Sequence, residues 1–412
     1  MMKKYWLLLE SYVFVWKNTD KILFYNTLSG KDLMIDSNGL INQLMNNLLS
    51  ETNHYCIELT EDDIKEPEIS SLIHLLRNRY MADLYEQLLC PQKPLVITPS
   101  VSMNEDFDRT LENSNNIELF GQKVLKNLQT VSIQITGKCH SDCGCCYSLY
   151  RQTTWCTKGE GELSFQKLCG MLEQVEQSHV SYVNLLGGNI LEYSCWTELV
   201  SVLKSCSFQK VLYLNIDSID DNSVFNKMSL DSSFHFRFCI NPDFNEDKIK
   251  QSLNFNVENS EYVFAVASVE GFEYANGIID KYDLKASILP YYTSNNLSFF
   301  EEYVFSDLED VKNLRRTKKE IFANQKINTN YFGHLFISHT GSVYSNINFS
   351  PIGTIEDKLS KLVFTEMREG KVWHQTRENL PVCKDCLYKY LCQSPSNYEL
   401  AIGRNNLCHI NS

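Results

Sequence analysis

The chain is 412 residues long, 43% apolar and 22% charged, with a formal net charge of −13. That length exceeds what one hydrophobic core usually serves and predicts two or three domains, while the apolar fraction excludes an intrinsically disordered chain. The acidic balance argues against a nucleic-acid partner, because phosphates are neutralised by clustered Lys and Arg.

Met1 to Trp16 carries Lys3, Lys4 and Glu10, without a long uncharged core or a small-residue cleavage site. No export signal, no transmembrane span and a cytoplasmic location are therefore expected. The aromatic and branched runs Tyr5 to Trp16 and Lys21 to Tyr25 flank the turn-like Asn18-Thr19-Asp20 and read as a hairpin. A helical pattern follows from Ile41 to Leu49, then a short strand at Tyr55 to Leu59. Next comes a helix with Leu72, Ile73, Leu75 and Leu76 on one side and Pro67 in its first turn, where a missing N–H costs nothing. Residues 1–92 thus read as a small winged-helix-like module. Residues 93–128, with Pro94, Pro99 and the polar stretch Met103 to Asn116, read as a linker.

The next segment, 129–300, alternates short apolar runs with helix-compatible stretches. Strands are predicted at Val131 to Ile135, Tyr182 to Leu186, Val211 to Ile216, Phe234 to Ile240, Tyr262 to Val266 and Ala286 to Leu289. Crossover helices are predicted at Phe165 to Gln177, Trp196 to Ser205, Asp220 to Met228, Asn245 to Leu253 and Phe272 to Tyr282. The alternation implies an α/β fold with a parallel sheet, open or closed into a partial barrel, whose site lies at the carboxyl ends of the strands. Glu301 to Lys319 reads as a surface helix within a bridging segment, 301–330. The remainder, 331–412, opens with a hairpin, Leu335 to Tyr344, around Thr340-Gly341.

The chain has fifteen cysteines. In a reducing compartment, close groups of cysteines serve metal or redox chemistry more often than disulfides. Cys56, Cys90, Cys156, Cys169, Cys195, Cys206 and Cys239 are scattered and read as small buried apolar residues. Cys139, Cys143 and Cys146 instead follow the first core strand with three and two residues between them, a spacing that wraps one loop around one object. Three thiolates bind three irons of a four-iron cluster and leave the fourth open; zinc on the same cysteines is the alternative. Cys383, Cys386, Cys392 and Cys408, with two, five and fifteen residues between them, supply four thiolates for a closed site, either a cluster or zinc.

The segment Thr136-Gly137-Lys138-Cys139-His140-Ser141-Asp142-Cys143-Gly144-Cys145-Cys146-Tyr147 resembles the cluster loop of radical S-adenosylmethionine (SAM) proteins. Tyr182-Val183-Asn184-Leu185-Leu186-Gly187-Gly188-Asn189 resembles the glycine-rich motif that ends their second strand. The resemblance implies a partial (β/α)6 barrel and a SAM-binding [4Fe-4S] cluster on Cys139, Cys143 and Cys146. It implies cofactor contacts from Tyr147, Gly187, Gly188, Asn189 and Asn215, and radical chemistry on a substrate. Asn189 departs from the acidic residue usual there, and Cys145 from the usual aromatic. Gly341-Ser342-Val343-Tyr344, Pro351-Ile352-Gly353-Thr354-Ile355 and the second cysteine group resemble the SPASM or twitch extension of peptide-modifying members. Ser345, Asn346 and Ser396 stand where further cysteines would be expected, so the resemblance implies one auxiliary [4Fe-4S] cluster, on Cys383, Cys386, Cys392 and Cys408.

The first module resembles the leader-recognition module of peptide maturases, which takes a precursor as an added strand; a structural cap is the alternative. The whole arrangement is similar to the radical and pseudo-radical SAM proteins of the GG-Bacteroidales peptide-maturation system. Two functions follow as expectations. One is radical SAM-dependent maturation of a ribosomally made precursor peptide. The other is a catalytically silent partner that presents the precursor to a second radical SAM maturase.

Overall fold

In the computed structural model, which describes residues 3–96, 124–178, 180–219, 231–254, 257 and 259–410, the first apolar run is two strands rather than one. A turn closed by Val13 N–H donating to the Glu10 carbonyl separates β1 (Lys4–Leu9) from β2 (Val13–Lys17). The predicted hairpin is therefore β2 with β3 (Lys21–Asn26), extended by β4 (Asp32–Asp36). β1 instead lies between β5 (Cys56–Thr60) and β6 (Ala82–Glu86) in a second antiparallel sheet. The helices Gly39–Leu49 and Pro67–Asn78 form where expected, the second with Pro67 in its first turn. They bury Leu44, Leu48, Leu72, Ile73 and Leu76 against β1 and β5. Sequence reasoning misses β6, which is short and bears Asp83 and Glu86.

Most of the expected linker lies outside the described residues, but Val124 and Leu128 are already packed into the main core. There, β7 (Thr130–Thr136), β8 (Tyr182–Gly187), β9 (Gln209–Asn215), β10 (Phe234–Ile240), β11 (Ser260–Val266) and β12 (Ala286–Pro290) lie side by side in chain order, all parallel. All six expected strands are present. The helices Phe165–Glu176, Trp196–Ser205, Glu246–Leu253 and Val269–Tyr282 follow the reading of the sequence. The expected helix at Asp220 to Met228 lies outside the described residues. One face of the sheet, with Ile133, Leu185, Leu212 and Phe264, packs on these helices. The other, with Leu186, Val211, Tyr213, Cys239 and Val263, closes over Leu149, Tyr150, Trp155 and Cys156. Near-continuous apolar strands are the signature of a parallel sheet covered on both faces.

The stretch read as one surface helix is three short ones, Leu297–Tyr303, Leu308–Asn313 and Lys318–Lys326. Capping boxes at Asp307 and Thr317 start the second and third, and Arg315 adopts a left-handed φ of 44° between them. The C-terminal hairpin, β13 (His334–Ile337) and β14 (Ser342–Tyr344), turns at Gly341 with φ 88°. It does not form a separate sheet: β13 pairs in parallel with β7, and β14 pairs with β15 (Gly353–Thr354), giving nine strands in all. The first module packs against this C-terminal part through Phe14, Leu23 and Tyr25 on Leu387, Tyr388 and Leu391, and Tyr388 Oη donates to Asp32.

A polar line crosses the sheet where β13 joins. Asn184 Nδ2 donates to Ser132 Oγ at 2.9 Å, and Ser132 Oγ lies 2.7 Å from His334 Nε2. Burial pulls the His334 imidazole down to about 4. Between about pH 4 and 6.5 the unfolded chain therefore binds a proton that the folded chain refuses. This contribution is whole above about pH 6.5 and is lost, up to about 3 kcal/mol, as pH falls towards 4. Denaturant titrations at a series of pH values should show a flatter acid slope in His334→Gln than in the wild type; parallel slopes would refute it.

Candidate metal centre

The loop after β7 is shaped by its neighbours. Gly137 N–H bonds the Gly161 carbonyl, and Gly159 N–H bonds the Gly137 carbonyl, pinning residues 157–162 beside it. A Cβ on Gly188 would overlap the Lys138 carbonyl and the Cys139 side chain, and one on Gly187 the Thr136 carbonyl. The two glycines thus let the end of β8 seat the cysteine loop. From that loop Cys146 opens the helix Cys146–Gln152, which sequence reasoning did not find.

Donors converge on the sulfurs. Asn241 Nδ2, just beyond β10, is 3.2 Å from Cys143 Sγ, and Asn215 Nδ2, at the end of β9, is 3.6 Å from the same sulfur. Lys158 N–H donates to Cys146 Sγ at 3.1 Å. Cys139 Sγ lies 3.9 Å from Ser218 Oγ. The Cys156 thiol and the Lys158 N–H hold Cys146 well below the ordinary thiol range, and Cys156 is correspondingly held up. Burial raises Cys143, and it raises Cys145 to about 11. Trp155, fully buried next to Cys156, has an unpartnered Nε1–H. Such donors suit thiolates of an iron–sulfur cluster, whose sulfurs accept hydrogen bonds.

The other expected site residues fall in two groups. Asn215 is buried, caps Asp217 N–H through Oδ1, and reaches the sulfurs through Nδ2. Asn189 lies beside the loop, but its side chain is committed: Oδ1 accepts from Leu191 N–H, and Nδ2 donates to Glu192 and to the Ser218 carbonyl. Tyr147 is 64% exposed, accepts a bond from Arg151, and lines an outer groove with Phe349 and Leu400. Sequence reasoning missed Asn241, Lys158 and Cys156. For Asn241 a signal exists, since it ends its strand much as Asn215 does.

Cys383, Cys386, Cys392 and Cys408 line one cavity of about 410 Å³. Arg377 also lines it, bridged to buried Glu399 at 2.6 Å and donating to the Gln393 carbonyl at 2.8 Å. Its cation acts on Cys383 and Cys392, two groups that become anionic on ligation. Burial raises Cys383, and it raises Cys392 to about 12. Where further cysteines would be expected, Asn346 donates to Asn397 at 2.7 Å and Ser396 caps the helix Asn397–Ile402. Among the described residues no three Cys, His, Asp or Glu side chains converge as a single metal ion requires.

No family model matches the chain, and no curated protein matches it. Among solved structures, Streptococcus suis SuiB bound to precursor peptide SuiA is similar at TM-score 0.48 and 10% identity, over 98% of each chain. SuiB bound to S-adenosylmethionine gives TM-score 0.42 at 10% identity, again over 98% of each chain. A tagged form of anSMEcpe with bound AdoMet gives 0.44 at 13% identity, over 67% of this chain and 95% of that one. Likenesses this distant assign no activity to this chain. Among the described residues no helix is long and apolar enough to cross a membrane.

Proposed function

We propose that this chain matures a ribosomally made precursor peptide by radical SAM chemistry, with Cys139, Cys143 and Cys146 holding a [4Fe-4S] cluster. One observation carries the reading: of three cysteines in a single loop at the carboxyl end of a parallel strand, Cys143 and Cys146 stand under amide and backbone N–H donors aimed at sulfur, and Cys139 lies 3.9 Å from the Ser218 hydroxyl. The cluster, with S-adenosylmethionine bound, supplies the one-electron chemistry that takes a hydrogen atom from the peptide. Gly187 and Gly188 seat the loop, Asn215 and Asn241 stabilise its thiolates, and Trp155, Tyr213 and Leu186 keep water from beneath it. Asn189 and Tyr147 would be the chain's contacts for S-adenosylmethionine at the edge of the loop. Cys383, Cys386, Cys392 and Cys408 hold one auxiliary cluster, with Arg377 offsetting part of its charge. Anaerobic incubation of reduced protein with S-adenosylmethionine should release 5′-deoxyadenosine; a preparation that binds iron but releases none overturns the catalytic reading.

A second reading, a silent partner of another maturase, draws on Asn189. Its amide is spent on local hydrogen bonds, one of them to the Glu192 carboxylate at 3.0 Å, and position 189 itself lacks a carboxylate for the cofactor's amino group. Release of 5′-deoxyadenosine only after a companion enzyme is added would favour it.

The precursor would enter along β6. That strand is an edge, and the groove beside it, about 590 Å³, is lined by Tyr12, Ile73, Arg77, Tyr80 and Asp83. Leu84 N–H is held by the Asp83 carboxylate at 2.8 Å, so it is available for exchange to an added strand. Leu84→Pro removes that donor, and Pro is tolerated at an edge whose N–H faces outward. Affinity for the peptide encoded beside this chain should fall roughly tenfold, as loss of a ladder bond and strand geometry would cost. Unchanged affinity in calorimetry, with iron content intact, would discard this entry route.

A further inference from the structure

We propose that Cys156 is a fourth thiolate for the cluster of the loop, occupying its remaining iron until S-adenosylmethionine displaces it. The inference rests on the reading of Cys139, Cys143 and Cys146 as cluster ligands and gives a role to a cysteine that sequence pattern left among the scattered ones.

Position carries the case. Cys156 Sγ lies 3.8 Å from Asn215 Nδ2, the same nitrogen that is 3.6 Å from Cys143 Sγ. Cys146 Sγ lies 3.6 Å from the Cys156 carbonyl. Cys156 therefore borders two of the three loop cysteines and shares a donor with one. A buried cysteine is ordinarily a small apolar filler. Cys56, buried in the first module, fits that description, whereas buried Cys156 also has the Asn215 amide and the Cys146 sulfur as neighbours. It is also held in place: Thr157 N–H bonds the Gly187 carbonyl at 2.7 Å, and Gly159 N–H bonds the Gly137 carbonyl at 2.8 Å. Those bonds tie its segment to the ends of β7 and β8.

The direction of approach matters as much as the distance. Cys156 packs with Leu186, Val211, Tyr213 and Cys239 on the inner face of the sheet. It meets the loop from within, on the side of Asn215, where the ends of the central strands would receive an exogenous ligand. Beside it Trp155 keeps a buried Nε1–H without a partner, a donor left for a group that the chain alone does not supply. On ligation Cys156 gives its proton to solvent and its sulfur bonds iron. On displacement the cofactor's amino and carboxylate groups take that position, and the sulfur regains a proton.

The test uses the full chain, reconstituted without oxygen, as wild type, Cys156→Ala, Cys156→Ser and the double variant Cys143→Ala/Cys156→Ala. The probe is S-adenosylmethionine, and the readouts are iron content and electron paramagnetic resonance. The double variant, left with Cys139 and Cys146, should lose the loop's signal and so identify it. Both single Cys156 variants should keep loop iron. In both, the S-adenosylmethionine concentration that half-shifts the reduced signal should fall roughly tenfold or more, because the cofactor no longer competes with a resident thiolate. Mild oxidation should give a three-iron signal in both variants and not in the wild type. Identical titrations and oxidation products in all three Cys156 forms overturn the role of Cys156 and leave the loop cluster standing. Iron loss in Cys156→Ala with a wild-type titration in Cys156→Ser marks a packing role and also overturns it. Unchanged iron and spectrum in the double variant overturn the cluster reading itself, and this inference with it.

Discussion

Replacing Cys143 with Ala in a chain that already carries Cys156→Ala should lower iron from about eight to about four per chain, because a four-iron cluster short of one of three thiolates is not retained while a four-thiolate site is. Cys143 is the most informative of the three loop cysteines. Its sulfur takes hydrogen bonds from two amides on different strands, Asn241 at 3.2 Å and Asn215 at 3.6 Å. In the variant Asn241 keeps its bond to Asp217 at 3.2 Å, so the cost falls on the Asn215 amide, which loses its sulfur acceptors at about 1–3 kcal/mol. A modest drop in melting temperature should therefore accompany the lost iron, with the circular dichroism of the folded chain kept. Iron assays that return the wild-type value would dispose of the ligand assignment.

The second large effect is steric. Gly188→Ala places a methyl against the Lys138 carbonyl and the Cys139 side chain, and the first of these is backbone that cannot swing aside. Overpacking of this kind costs about 1–3 kcal/mol, and relief comes most easily by lifting the cysteine loop off the end of β8. The expected result is loss of the loop's iron with the C-terminal iron retained. Gly144 lies in the same loop with open space where a Cβ would go, so Gly144→Ala should keep both. Equal iron in the two variants would show that the glycine pair does not seat the loop.

Much of the fold could be read from the residues. The six core strands are continuous apolar runs such as Phe234–Ile240, long enough for a strand and too short for a helix, with amphipathic helices between them. The first cysteine loop was equally legible, since its spacing is local and follows a strand. What escaped depends on partners far along the chain. β6 has the polar sequence Ala-Asp-Leu-Tyr-Glu and becomes a strand because β1 pairs with it. The break at Arg315 turns on a left-handed backbone that an arginine does not announce. Cys156 meets the loop because residues 157–159 are tied to Gly137 and Gly187, and no interval between cysteines encodes that. Gly187 and Gly188 were expected as contacts for the cofactor; that they also make room for the chain's own loop, at the Thr136 and Lys138 carbonyls, is set by packing that the sequence does not display.

The parallel pairing of β13 with β7 has a consequence for any shortened form of this protein. β7 carries the cysteine loop, and residues of the C-terminal part cover its outer side. A chain ended before His334 would leave β7 as an uncovered border of main-chain donors and acceptors, ready to zip onto a second molecule. Fragments bearing only the first cysteine group should therefore self-associate, and their failure to take up iron would reflect that lost neighbour rather than the ligands themselves.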